Sequence, residues 1–329
     1  MIENLKSNIS IDFNKKRILV TGGAGYIGSV LTPLLLRGGY FVRVVDALIF
    51  NQKPPRVDLN FNKFEFIKGD LRNYKVLKSV LKNIDIIVHL AALVGEPVCH
   101  KNPDLCYEVN DGVIEKLNNL RKNTRLIFLS TSSVYGETGS KICFEDKTKP
   151  EPRLDYAKSK YRAEKIIRNK DNYIILRPAT AFGFSPRLRL DTLINEFVFK
   201  AVKYKYLEVY NPNFARTFIH VKDLAKAIIM MIEKFDEFRN QTVNVGSNNM
   251  NVTKKQIANL IKSKIDFKLK IVSGRHDSDK RNFIVNYDKV EGKGFKTEVF
   301  LSDGLDEMIR EFKTLKDNPY FYNINYKFL

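Results

Sequence analysis

The chain has no tryptophan, only three cysteines and only four histidines among its 329 residues. Cys99, Cys106 and Cys143 form no ladder of spacings, and no histidine stands near them in a CxxC or HxxxH arrangement. That usage predicts reduced thiols and argues against a disulfide scaffold or a zinc module, so no metal is expected. Long apolar runs are missing too. The most apolar stretch, Ile84 to Gly95, carries Asp85 and His89 and is too short to span a bilayer. The first sixteen residues are polar, which predicts no secretory signal and a cytoplasmic protein without membrane association. Neither a Gly/Ser linker nor an internal repeat is present. What the chain has in excess is positive charge, 56 Lys and Arg against 37 Asp and Glu, a net +19. The surplus divides almost equally between residues 1–172 and 173–329. A nucleic-acid arm or groove concentrates its charge, so the even spread favours a generally basic surface or a small anionic ligand.

An apolar fraction of 44% supplies material for a packed core. Short β-branched runs alternate with helical patterns through the first half, as in right-handed βαβ units. Strands are expected at Arg17–Thr21, Phe41–Asp46, Phe64–Lys68, Ile84–Leu90, Arg125–Ser130 and Tyr173–Arg177. Helices are expected at Tyr26–Arg37, Asn73–Lys82, Pro103–Asn119 and Asp155–Asn169. Beyond Pro178 the alternation loosens into helices at Asp191–Lys203, Val221–Phe235, Thr253–Lys264 and Asp303–Lys316. The predicted fold is α/β, a doubly wound parallel sheet of six strands over residues 1–177 with a smaller, mostly helical lobe over 178–329. The two are expected to interleave in one body.

Directly after the first strand comes Thr21-Gly22-Gly23-Ala24-Gly25-Tyr26-Ile27-Gly28. Gly22 permits a sharp turn, Gly25 lets backbone approach a pyrophosphate, and Gly28 permits close helix–sheet contact. The following helix then offers free N–H groups to an anion. Asp46 closes the second strand eighteen residues beyond Gly28, where a carboxylate accepts from adenosine ribose hydroxyls and repels a 2′-phosphate. The sheet is thus of the Rossmann kind, with NAD favoured over NADP. Gly22, Gly25, Tyr26, Ile27, Gly28 and Asp46 are the cofactor-binding candidates. Two further features leave strand ends on the same side of the sheet: Ser130-Thr131-Ser132-Ser133-Val134-Tyr135-Gly136, and Tyr156-Ala157-Lys158-Ser159-Lys160. Tyr156 and Lys160 are one helical turn apart, so an ammonium stands beside a phenol and favours its ionised form.

Together TGGAGYIGS, Asp46, Ala91-Ala92-Leu93, STSSVYG and YAKSK resemble the extended short-chain dehydrogenase/reductases, specifically the nucleoside-diphosphate-sugar epimerase/dehydratase group. The resemblance continues through Arg177–Gly183, ARTFIHVKDLAKA around Arg216 and Asp223, VNVGS at Val243–Ser247 and DKRNF around Arg281. It implies an enzyme with a tightly held NAD that oxidises a sugar hydroxyl at C4. Tyr156 would take the hydroxyl proton, Lys160 would hold the nicotinamide ribose, and Thr131 would bond the reacting oxygen. Asp70 with Leu71, and Ala91 with Ala92, would line the cofactor. Asn110 and Thr180 would meet the substrate, and Arg216 and Arg281 would grip its diphosphate. A homodimer through Pro103–Asn119 and Asp155–Asn169 is implied as well.

Relatives resembling 4,6-dehydratases carry an acidic pair after the catalytic Thr, where this chain has Ser132 and Ser133. A hydroxyl is a poor substitute for a carboxylate in elimination, so dehydration is disfavoured. The 3,5-epimerase cysteine position is also Ser133, and Cys99 is more simply a core residue. A sugar-nucleotide 4-epimerase is the reading preferred. Net 4-dehydrogenation of a substrate such as a GDP-heptose is the alternative, since Phe184–Phe197 resembles surface-polysaccharide enzymes and Thr180 stands where galactose epimerases have Asn. A non-catalytic NAD-binding or basic-surface protein stays open. Arg187 and Arg189 suit either a diphosphate or solvent.

Overall fold

A computed structural model describes residues 16–55, 57, 62–139, 141–272, 282–316 and 318–326. The first strands are β1 (Arg17–Thr21), β2 (Phe41–Asp46), β3 (Phe64–Lys68), β4 (Ile86–His89) and β5 (Arg125–Leu129). There follow β6 (Ile142–Cys143), β7 (Tyr173–Pro178), β8 (Thr180–Phe182), β9 (Tyr206–Tyr210), β10 (Ala215–His220) and β11 (Gln241–Val245). Seven of them make one parallel sheet in the order β11-β7-β5-β4-β1-β2-β3. The inner strands read IIVH, RLIFL and YIILRP and are buried almost throughout, as strands covered on both faces must be.

Six strands were expected, and the seventh, β11, comes from the second half of the chain. Its place beside β7 follows a long crossover that no local pattern encodes. The sheet therefore takes a strand from beyond residue 177.

The helices that position the site are α1 (Gly28–Arg37), α2 (Tyr74–Val80), α3 (Glu96–Lys101), α4 (Pro103–Tyr107), α5 (Val113–Leu120), α6 (Asp155–Ile167), α7 (Leu193–Lys203) and α8 (Val221–Glu233). Leu31 and Leu35 of α1 and Leu224, Ile228 and Met231 of α8 cover one face of the sheet. Leu77, Ile114, Leu117, Ala163 and Ile167 cover the other. The helix expected over Pro103–Asn119 is interrupted by a π-helical turn at Glu108–Gly112. The extra residue turns Asn110 inward, where its Oδ1 accepts from Leu93 N at 2.8 Å and its Nδ2 donates to Leu93 O at 3.0 Å. A separate core joins α7 to the helices Lys254–Lys264 and Leu301–Thr314 and forms the smaller lobe.

The structure joins Cys99 to Cys106, with Cα atoms 5.1 Å apart, and leaves Cys143 buried and free. This corrects the expectation of three reduced thiols: two consecutive short helices, α3 and α4, fold the seven-residue spacing back on itself. Among the described residues no helix is long and apolar enough to cross a membrane.

Candidate active site

In a doubly wound sheet the crevice opens where the strand order reverses, here between β1 and β4. A cavity of about 1110 Å³ lies there and extends into the smaller lobe. Its walls include Gly22, Gly25, Tyr26, Ile27, Gly28, Asp46, Asp70, Leu71, Ala91 and Ala92, all the cofactor candidates of the sequence.

The glycine turn fits a dinucleotide because backbone crowds it. Gly22 has φ +67°, and a Cβ there would sit 2.7 Å from Ala91 Cα. At Gly28 a Cβ would meet Gly23 Cα at 2.4 Å, so α1 enters the turn only without a side chain. Gly28→Ala is expected to force these backbones apart, cost about 1–3 kcal/mol and release cofactor. A melting curve, with the 260 nm absorbance of the purified protein, measures both.

Asp46 is buried, and burial pushes its carboxyl above the usual range, against hydrogen bonds from Leu48 N (2.8 Å) and Ala24 N (3.0 Å). Asp70 is held below its ordinary value: burial opposes this, but the Arg72 guanidinium at 2.7 Å outweighs it. Tyr26 spends its phenol on the lobe, donating to Gly183 O at 2.8 Å and accepting from Asn195 Nδ2 at 3.2 Å.

Thr131, Tyr156 and Lys160 line the same cavity. Thr131 follows β5 and starts a 3₁₀ turn, its Oγ1 accepting from Ser133 N at 3.1 Å. Ser132 and Ser133 line the cavity beside it. The Lys160 side chain is almost wholly buried, with Nζ 4.1 Å from the centre of the Phe128 ring. Among the described residues that ammonium has no hydrogen-bond partner, which leaves its three donors for a ligand in the cavity. Burial drives its pKa down to about 7, while Glu164 and Asp111 pull the other way.

Glu164 lies one turn beyond Lys160 and is fully buried. It accepts from Arg177 through Nε (3.0 Å) and Nη2 (2.7 Å), and from Ser130 Oγ at 2.6 Å. That network fastens the β5 end carrying Thr131 to the helix carrying Tyr156.

In the lobe, Thr180 and the buried Arg216 line the cavity. Asn110 does not line it: the backbone of Leu93 takes its amide, so it shapes the loop after β4. Arg281 lies outside the described residues. Cys99 is buried and paired, away from the cavity lining.

Sequence reasoning left Arg187 and Arg189 open between a diphosphate and solvent and missed Asn323 and Glu96; all four line the cavity. Arg189 forms a two-point ion pair with Asp191 at 3.0 and 2.9 Å. Arg187 lies 4.3 Å from the Phe50 ring and donates to Asn323 Oδ1 at 2.7 Å. Asn323 also donates to Val94 O at 2.8 Å and lines the cavity. Nothing in the sequence around Asn323 marks it, because its role exists only through three segments far apart in the chain. Glu96 was visible only as a charge within AALVGEPVC.

A model of the NAD dependent epimerase/dehydratase family matches residues 18–246. A putative UDP-glucose 4-epimerase of Methanocaldococcus jannaschii is 27% identical over 310 residues, covering 90% of this chain and 98% of that protein. UDP-glucose 4-epimerase 2 of Arabidopsis thaliana is 27% identical over 351 residues, covering 94% and 97%. The structure resembles UDP-N-acetylglucosamine 4-epimerase from Methanobrevibacter ruminantium in complex with UDP-N-acetylmuramic acid, with TM-score 0.77, 25% identity and 90% and 99% coverage. It also resembles dTDP-glucose 4,6-dehydratase from Bacillus anthracis in complex with NAD, with TM-score 0.77, 25% identity and 93% and 98% coverage. With a fitting turn, a fitting cavity and a family match over most of its length, this chain belongs to the NAD dependent epimerase/dehydratase family, and NAD is its cofactor.

Proposed function

We propose that the protein inverts C4 of a nucleoside-diphosphate-sugar. The observation that carries this reading is that Tyr156 and Lys160, one turn apart on α6, line the same cavity as Thr131 and the glycine turn. NAD, when bound, supplies the hydride acceptor and donor for C4. The Tyr156 phenolate takes the C4 hydroxyl proton and later returns it. Lys160, in its protonated form, favours that phenolate and would donate to the nicotinamide ribose. Thr131 Oγ1 orients the reacting oxygen. Thr180 meets the sugar, and Arg216 meets the diphosphate with a planar fork suited to phosphate oxygens.

Ser132 and Ser133 occupy the wall beside Thr131, where elimination at C5 and C6 would call for an acid and a base. This supports a cycle that ends in reduction at C4 rather than dehydration.

The test is incubation of the purified protein with UDP-, GDP-, CDP- and dTDP-sugars, followed by NMR of the products and absorbance at 340 nm. A C4 epimer formed without lasting NADH is expected. A released 4-ketone with NADH accumulating would replace epimerisation by net 4-dehydrogenation, and a 4-keto-6-deoxy product would overturn the reading.

A further inference from the structure

The helix that carries Tyr156 has no cap of its own. Its N-cap residue is Leu154, which offers no side-chain acceptor to the first N–H groups. The missing acceptor comes from elsewhere in the chain: Glu96 Oε1 accepts from Asp155 N, and Glu96 Oε2 accepts from Tyr156 N, each at 3.2 Å. One carboxylate thus holds the two amides that start α6, and one of those amides belongs to Tyr156. The charge also has the sign that a helix N-terminus favours.

Glu96 begins α3, in the loop that leaves β4, and it lines the cavity together with Tyr156. The same loop is braced elsewhere, by Asn110 on Leu93 and by Asn323 on Val94. The Tyr156 ring packs against the cluster of Leu93, Val98, Cys99 and Cys106 carried by this loop and the next helix. The loop after β4 thus both supports the ring and holds the backbone from which it projects.

We infer that Glu96 is a positioning residue for Tyr156, its carboxylate substituting for the absent cap of α6 and fixing where the phenol stands in the cavity. The inference rests on Tyr156 being the base of the proposed reaction.

Glu96 also brings a negative charge to the cavity that Tyr156 lines. Charged or titratable groups on the elements that meet here include Lys160 and Asp155 on α6, His100 on α3, and Arg189 and Asp191 from the lobe. A carboxylate there opposes ionisation of the phenol, so neutralising it moves the phenol titration to lower pH.

The experiment compares E96Q and E96A with the wild-type holoenzyme, using the nucleotide-sugar that turns over in the panel above. E96A is expected to lower kcat about 30-fold, since small misplacements of a catalytic group carry effects of that order. KM should change less than about threefold. E96Q keeps one acceptor oxygen and should fall between E96A and wild type. A second readout needs no substrate: with 3-fluorotyrosine replacing Tyr156, the ¹⁹F titration midpoint of the NAD-loaded protein should move down in E96Q by about half a unit. That readout also decides the matter if E96A does not fold.

An unchanged kcat in E96A overturns the inference. So does a raised KM with kcat intact, which would make Glu96 a sugar contact, or a fluorotyrosine midpoint that stays in place. Tyr156→Phe, run alongside, separates the two readings. If it keeps its turnover, the proposed reaction fails; if it loses turnover while E96A keeps its own, only the role of Glu96 fails.

Discussion

Tyr156→Phe is expected to lower turnover about a thousandfold while the protein keeps its fold and its NAD. The magnitude is that of removing a positioned proton-transfer group. The ring stays, so its packing against Leu93, Val98, Cys99 and Cys106 persists and the loop after β4 keeps its support. The glycine turn, Asp46 and Lys160 are untouched, which is why bound cofactor should survive. The measurement pairs kcat with the 260 nm absorbance of the purified variant. A loss under tenfold would remove Tyr156 from the chemistry. Lys160→Met acts on the same phenol from one turn away. Losing the ammonium removes the charge that favours the phenolate, so the acid limb of the pH profile should move up by one to three units or so. At neutral pH this reads as a large loss, partly recovered in alkaline buffer. A uniform loss at every pH would instead leave Lys160 as a ribose contact alone.

Arg177→Met is expected to carry the largest cost in stability, about 3–5 kcal/mol, by leaving a buried carboxylate short of its main partner. Glu164 would keep Ser130 Oγ and the half-exposed Arg168, whose Nη2 lies 3.1 Å away. Neither replaces the two-point contact of Arg177. The change also removes the guanidinium from the Tyr135 ring, 4.9 Å away. Denaturant unfolding of Arg177→Met, Glu164→Leu and the double variant distinguishes a charge effect from simple loss of packing. The double variant should recover a substantial part of the cost, because no charge then stays buried without its partner. If the two single costs simply add up to that of the double variant, the ion pair is not what holds the β5 end to α6.

The dinucleotide half of the molecule was legible because its signals are local. A strand, a glycine turn and a helix stand side by side in the sequence, and Gly22, Gly25, Gly28 and Asp46 all line the cavity. Tyr156 and Lys160 were legible for the same reason, being one turn apart on one helix. Residues whose position depends on distant contacts were not. Asn110 was placed at the substrate edge, but the π turn sends it into the backbone of Leu93. The cysteines carried no readable pairing until α3 and α4 brought Cys99 and Cys106 together. β11 has the composition of a strand, yet its neighbour in the sheet is set by a crossover, so its membership could not be read from residues 241–245 alone. Glu96 caps a helix that begins 59 residues later, a relation with no sequence signature at all.

In the proposed cycle the hydrogen on C4 leaves as a hydride while Tyr156 handles only the oxygen-bound proton. Turnover of a nucleotide-sugar deuterated at C4, in ordinary water, tests it directly. Mass spectrometry and NMR should find the deuterium still on C4 of the inverted product, with the deuterated substrate reacting more slowly. Deuterium replaced by solvent hydrogen at C4 would mean that this carbon exchanges its hydrogen as a proton, and the account would be wrong.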